Sequence, residues 1–107
     1  NNKILESGTS NLLFVSKNKI FSPINNFYKG TTFKFFEKKV KIIKKNIFLK
    51  KVSDFDEIIL VGSGKGVTSV KQINKMKWNK QSNKIYKKLL FIYNRETKNK
   101  KSFFKYS

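Results

Sequence analysis

From Asp56 to Val70 the chain reads Asp-Glu-Ile-Ile-Leu-Val-Gly-Ser-Gly-Lys-Gly-Val-Thr-Ser-Val, and no other stretch restricts its fold so tightly. Ile58 to Val61 is a short apolar run rich in β-branched residues, suited to a buried strand, and Val67 to Val70 alternates apolar with polar as a second strand does. Between them Gly62, Gly64 and Gly66 allow backbone angles closed to other residues and carry no Cβ to keep a ligand from the main-chain N–H groups. Ser63 adds a hydroxyl donor. The segment is therefore expected to fold as strand, glycine loop, strand, with a loop suited to an anion. A glycine-rich β-connection without a ligand has the same local pattern, so the loop alone does not separate the two readings. It is not a Walker A loop, because Lys65 is followed by Gly66 and a strand rather than by Ser or Thr and a helix. Nor is it a dinucleotide fingerprint, since its glycines are evenly spaced and no helix follows.

The rest of the chain reads as a mixture of helix and strand without internal repeats. Asn11–Ser16 and Lys19–Ser22 form a hairpin pattern, with Lys17-Asn18 as the turn and Pro23 ending the second strand. Thr31 to Lys39 fits a short helix that places Phe33, Phe36 and Val40 on one face. Val40 to Lys44 and Ile47 to Val52 are apolar-rich and suit strands, although Ile42-Ile43 also fits a longer helix. Ile73 to Trp78 is expected as another strand with Met76 and Trp78 on one side, Trp78 being a core aromatic. From Lys80 to Tyr93 the sets Ile85, Leu89, Ile92 and Tyr86, Leu90, Tyr93 have helical spacing, so this segment should close the domain against the sheet. Residues 96–107 form a polar, Lys-rich tail, expected to fray.

Three upstream segments add to the glycine loop: Glu6-Ser-Gly-Thr-Ser-Asn-Leu-Leu-Phe-Val15, the strand ending Phe21-Ser-Pro23, and Tyr28-Lys-Gly-Thr-Thr-Phe33. In this order, followed by Asp56-Glu-Ile-Ile-Leu-Val-Gly-Ser63, they resemble the C-terminal half of class IV (fold type IV) pyridoxal-phosphate enzymes. That family includes branched-chain and D-amino-acid aminotransferases and aminodeoxychorismate lyase. The resemblance runs from Ile4 to Tyr93 and implies an α+β fold in which a curved mixed β-sheet, a pseudo-barrel with flanking helices, carries the cofactor loops. Residues 1–95 would be the C-terminal cofactor-binding domain.

The resemblance also implies roles. Glu6 matches the glutamate at the pyridine nitrogen of pyridoxal 5'-phosphate, where a carboxylate keeps the ring protonated and electron-withdrawing. Gly30, Thr31 and Thr32 match the turn at a helix start whose N–H groups hold the cofactor phosphate, a natural anion site. Gly62 and Ser63 match the loop that closes on the same phosphate, Ser63 and Gly64 the pair near the substrate carboxylate, and Tyr28 the side chain against the ring. Each residue also has an ordinary reading: Glu6 as a solvated carboxylate, Thr31 and Thr32 as a helix cap, Tyr28 as core.

The family's Schiff-base lysine lies upstream of the segment matching Glu6, so no catalytic residue is expected in this chain, which reads as the C-terminal part of a longer protein. Phe33 stands where the family usually has Arg. The region from Phe33 to Val52 is shorter than the family's helix and strand. The family's Gly-x-Gly turn before the last helix is also missing, which favours a lyase-like member. The expected activity is 4-amino-4-deoxychorismate lyase, an aminotransferase being the alternative, acting on a small amino-acid or aminodeoxychorismate-like substrate as a full-length homodimer.

Composition supplies a rival reading. The formal net charge is +19, from 25 Lys and Arg against 6 Asp and Glu, and 15% of residues are aromatic, a balance that suits phosphate contacts and base stacking. Yet Arg95 is the sole arginine, and arginine is the side chain that forks onto phosphates and reads bases. Abundant Lys, Asn, Ile and Phe with no Ala, Cys or His instead match an AT-rich coding bias, so no specific nucleic acid is expected as a partner. Without Cys or His there is neither a disulfide, a thiolate metal site nor a catalytic triad, and no metal is expected. No apolar run approaches membrane-spanning length, so no membrane partner is expected, and a cytoplasmic location is the default.

Overall fold

Lys17 and Asn18 both sit in the left-handed region, with φ of 51° and 67°, and this pair makes the tight turn that the twist of two antiparallel strands favours. The turn joins β2 (Ser10–Ser16) to β3 (Lys19–Ser22) in the register Phe14↔Phe21, Val15↔Ile20, Ser16↔Lys19. The structure is a computed structural model that describes the backbone of residues 6–7, 10–24, 30–62, 66–74 and 77–104.

After β3 the chain forms α1 (Thr31–Lys39) and returns as β4 (Ile42–Lys44), parallel to β3. A parallel return needs a crossover, which α1 supplies. β5 (Glu57–Gly62) pairs antiparallel with β2, and β6 (Gly66–Ser69) with β5; β1 (Glu6–Ser7) pairs with the start of β2. The result is a mixed six-stranded sheet in the order β4-β3-β2-β5-β6 with β1 beside β2.

The strands' period of two sorts their side chains to opposite faces. Leu13, Val15, Ile59, Val61 and Val67 face α1 and α2 (Lys84–Phe104), where they pack with Phe33, Phe36, Ile85 and Leu89. Phe14 and Ile58 face the other way and pack with Ile47, Val52, Phe55 and Trp78. Fully buried Phe33 and Phe36 each contribute roughly 1.5–3 kcal/mol, which fixes α1 on the sheet. Phe33, in the place of the family's arginine, is thus committed to the core, with the Lys44 ammonium 4.8 Å from its ring centre.

Three expectations are corrected. Ile47 to Val52 is not a strand: Leu49–Asp54 is a 3-10 helix, held at its ends by Lys51 N–H to the Phe48 carbonyl and Phe55 N–H to the Val52 carbonyl. A strand would have sent Val52 and Phe55 to opposite faces, whereas the turn buries both beside Ile47 and leaves Lys50 and Lys51 in solvent.

Nor is Ile73 to Trp78 one strand. β7 (Gln72–Ile73) and β8 (Trp78–Asn79) form a separate hairpin, with Lys77 at φ 52°. The reversal brings Trp78 into the core, where its indole N–H donates to the Phe55 carbonyl at 3.0 Å. Met76 lies outside the described residues.

The last helix begins at Lys84 rather than Lys80 and continues to Phe104, through the stretch read as a frayed tail. Its start is set by a carboxylate from the sheet. Glu57, only 1% exposed, accepts the N–H groups of Ile85 at 3.0 Å and Tyr86 at 2.9 Å. First-turn N–H groups have no carbonyl of their own helix to bond, and an anion there also suits the helix dipole.

Candidate functional site

Asn11 organises the end of the sheet where most of the expected site residues meet. It is a buried polar residue, 2% exposed, at the start of β2, on the face that carries the helices. Across the ladder it stands opposite Glu6 of β1 on one side and Val61 of β5 on the other, and Val61 in turn opposes Val67. Its side-chain oxygen accepts the N–H of Gly30 at 3.0 Å. One row of backbone thus places Glu6, Asn11 and the residue before Gly62 side by side, and a hydrogen bond ties the start of α1 to that row.

The start of α1 carries no side-chain cap of its own. Gly30 is its cap residue, with φ −70° and ψ 168°, no side chain caps the first turn, and no acidic residue lies in that turn. The first intrahelical hydrogen bond runs from Lys34 N–H to the Gly30 carbonyl at 3.1 Å, so the N–H groups of Thr31 and Thr32 precede the helical ladder. Asn11 accepts the Gly30 N–H and so ties the residue before those two groups to β2. Thr31 is exposed and Thr32 is buried, which leaves the outer face of the turn open while its inner side is packed.

The glycine loop closes at the same end. Gly62 and Gly66 pair directly across the base of the β5–β6 hairpin. Gly66 has φ +69°, and a Cβ on it would lie 3.0 Å from Cε2 of Tyr93 on α2. Glycine meets both conditions with least strain, so the base of the loop is restricted by backbone conformation and by an aromatic ring beside it.

Of the residues expected at the site, Gly30, Thr31, Thr32 and Gly62 are described in full, and Glu6 by its strand position. Tyr28, Ser63 and Gly64 lie outside the described residues. Two structural roles were not foreseen: Asn11 as the tie between strand and helix, and Glu57 as the seat of α2. A signal was present for both, because each is a polar residue beside an apolar strand run, where burial demands a partner. Among the described residues no group of three or more His, Cys, Asp or Glu is placed to hold a metal ion.

Comparison with known proteins identifies the family and the fold. The sequence model of class IV amino-transferases matches residues 1–73. The chain belongs to the class IV aminotransferase family. No curated protein sequence matches it. Among solved structures, a putative 4-amino-4-deoxychorismate lyase from Legionella pneumophila superposes with a TM-score of 0.75 at 21% identity, over 88% of this chain and 37% of that one. A branched-chain aminotransferase from Thermoproteus uzoniensis gives 0.77 at 20% identity, over 88% and 33%. An aminotransferase from Brucella abortus, solved bound to the cofactor PLP, gives 0.66 at 21% identity, over 86% and 36%. At these identities the likeness establishes the α+β fold. The class IV chain described here spans about a third of the length of these relatives. Class IV aminotransferases and lyases work with pyridoxal phosphate, and the start of α1 fits that requirement: an uncapped, acid-free first turn offers N–H donors to a phosphate.

Proposed function

We propose that this chain supplies the phosphate-gripping part of a pyridoxal-phosphate enzyme, with 4-amino-4-deoxychorismate lyase as the activity and an amino-acid aminotransferase as the second reading. The observation that carries the proposal is the Asn11 tie, which joins the helix start to the Glu6–Val61 row and so gathers the family's ring-nitrogen and phosphate positions at one end of the sheet. Lyase is preferred because residues 80–83, between the last strand and the last helix, read Lys-Gln-Ser-Asn and lack the glycines usual in the aminotransferases. The aminotransferase reading is favoured by the Thermoproteus likeness.

The cofactor, when bound, withdraws electron density from the substrate's α-carbon, and the chain's own groups hold it in place for that purpose. The N–H groups of Thr31 and Thr32 would grip the phosphate, with the Ser63 hydroxyl closing from the glycine loop. Glu6 would keep the proton on the ring nitrogen. The backbone at Ser63 and Gly64 would orient the substrate carboxylate. Tyr28 would cover one face of the ring.

These roles separate under mutation in the complete enzyme. Glu6→Gln should depress turnover while leaving cofactor retention nearly intact, because it weakens ring protonation without removing a phosphate contact. Ser63→Ala should do the reverse, weakening cofactor binding by about 1–3 kcal/mol, the range for a hydrogen bond to a charged group. Turnover and cofactor affinity measured side by side decide the matter: equal, small effects at both positions would mean that the site lies elsewhere. Turnover of aminodeoxychorismate against transfer from branched-chain amino acids separates the two activities.

A further inference from the structure

On the sheet face away from α1 and α2 lies a cavity of about 560 Å³ that the proposed cofactor site does not use. Its walls include Phe21, Ile47, Phe48 and Phe55, and Lys17, Lys45 and Lys51 stand around it with Asp54 as the sole carboxylate. None of Glu6, Gly30, Thr31, Thr32 or Gly62 lines it. The size is that of a small-molecule pocket, and a mostly apolar interior with a few convergent charges is the usual composition of one.

We propose that this cavity is a second binding site, for a small organic carboxylate with an aromatic body. The floor takes an aromatic body because Phe55 and Phe21 form a tilted pair, with ring centres 6.0 Å apart, and Ile47 is packed beneath them. The charge follows from the rim. Lys45 holds its ammonium 5.2 Å from the centre of the Phe21 ring, an attraction that keeps the cation beside a residue of the lining. Among the described residues no carboxylate pairs with the ammonium group of Lys17, Lys45 or Lys51. An anion entering therefore displaces no carboxylate from these ammonium groups, and the lining holds three lysines against one carboxylate, Asp54. The proposal is independent of the cofactor reading, since it rests on different residues and on the other face of the sheet.

Trp78 is the chain's single tryptophan, and its indole N–H is bonded to the carbonyl of Phe55, a cavity wall, so it reports on occupancy. Phenylacetate is the probe, and phenylacetamide is its neutral counterpart of nearly equal shape. Titrating phenylacetate into the 107-residue chain should change Trp78 emission saturably and shift the backbone amide resonances of Phe21, Ile47 and Phe55. Phenylacetamide, and the Lys45→Gln/Lys51→Gln variant, should each bind about ten-fold more weakly, the scale of losing a hydrogen bond to a charged group. A Lys87→Gln/Lys88→Gln variant removes the same charge from exposed positions on α2 and should bind as the parent does. Equal weakening in the two double variants would reduce the effect to net charge and overturn the proposal. So would shifts confined to residues 30–32 and 62–66, or no saturation. The resonance map is read on the unaltered chain, so a variant that fails to fold leaves the outcome decidable.

Discussion

Replacing Asn11 by alanine takes away the acceptor of the Gly30 N–H, a part-buried donor, and opens space beside the buried start of β2. The expected cost is about 1 kcal/mol of stability, the usual net worth of a hydrogen bond whose donor keeps some access to water. Urea unfolding measures that cost. In the complete enzyme the same change should weaken cofactor binding, because the turn that carries the Thr31 and Thr32 N–H groups would no longer be tied to β2; a stability loss with unaltered cofactor affinity would detach Asn11 from the site. Gly66 offers a second test. Gly66→Ala combines a left-handed backbone, which costs an L-residue about 1–2 kcal/mol, with crowding by the Tyr93 ring at 3.0 Å. In a Tyr93→Leu background the crowding is relieved and the backbone cost remains, so the two changes should be non-additive. Strict additivity in thermal unfolding would show that the ring exerts no constraint on the loop.

At the scale of elements, α2 depends on a side chain that it does not carry. Glu57→Gln keeps the shape but replaces a carboxylate accepting two N–H groups with an amide that has one acceptor oxygen. A loss of about 1.5–3 kcal/mol is expected, with hydrogen exchange accelerating first at Ile85 and Tyr86. Unchanged protection of those amides would mean that the helix start is secured by packing alone. Local pattern was legible wherever an element is set by its own residues. The Lys17-Asn18 hairpin, α1 with its Phe33 and Phe36 face, and the strands around the glycine loop are all found where their sequence pattern put them. It failed where a distant group decides. Leu49–Asp54 coils because Val52 and Phe55 both have a place beside Phe14 and Trp78, and α2 begins at Lys84 because Glu57 waits there. The family was legible as a set of motifs in order, but the bond that ties the start of α1 to β2, from Gly30 to Asn11, spans nineteen residues and has no local signature.

For the whole molecule, charge sets behaviour more than shape does. A net +19 on 107 residues is self-repelling, and the two ion pairs described, Lys39–Glu96 at 2.8 Å and Lys44–Glu37 at 2.6 Å, are partly exposed and of the kind worth about 0–1 kcal/mol each. Moderate salt should therefore raise the unfolding midpoint by screening the repulsion. The same charge should attach the chain weakly to any polyanion. Affinity for DNA or RNA is expected to be indifferent to sequence and to collapse between low and physiological salt, as counterion release dictates. Retention of one nucleic-acid sequence at physiological salt would reverse that reading. No helix among the described residues is long and apolar enough to cross a membrane.

The helix α2 meets the β5–β6 hairpin twice: at its first turn through Glu57, where β5 begins, and two turns later through Tyr93, against Gly66 where β6 begins. It acts on that hairpin as a splint acts on a joint. Any tilt of the helix at its carboxylate footing must be carried along a rigid rod to the ring that stands against Gly66. A substitution at one end of β5, remote from any ligand, is thus mechanically connected to the loop at the other end.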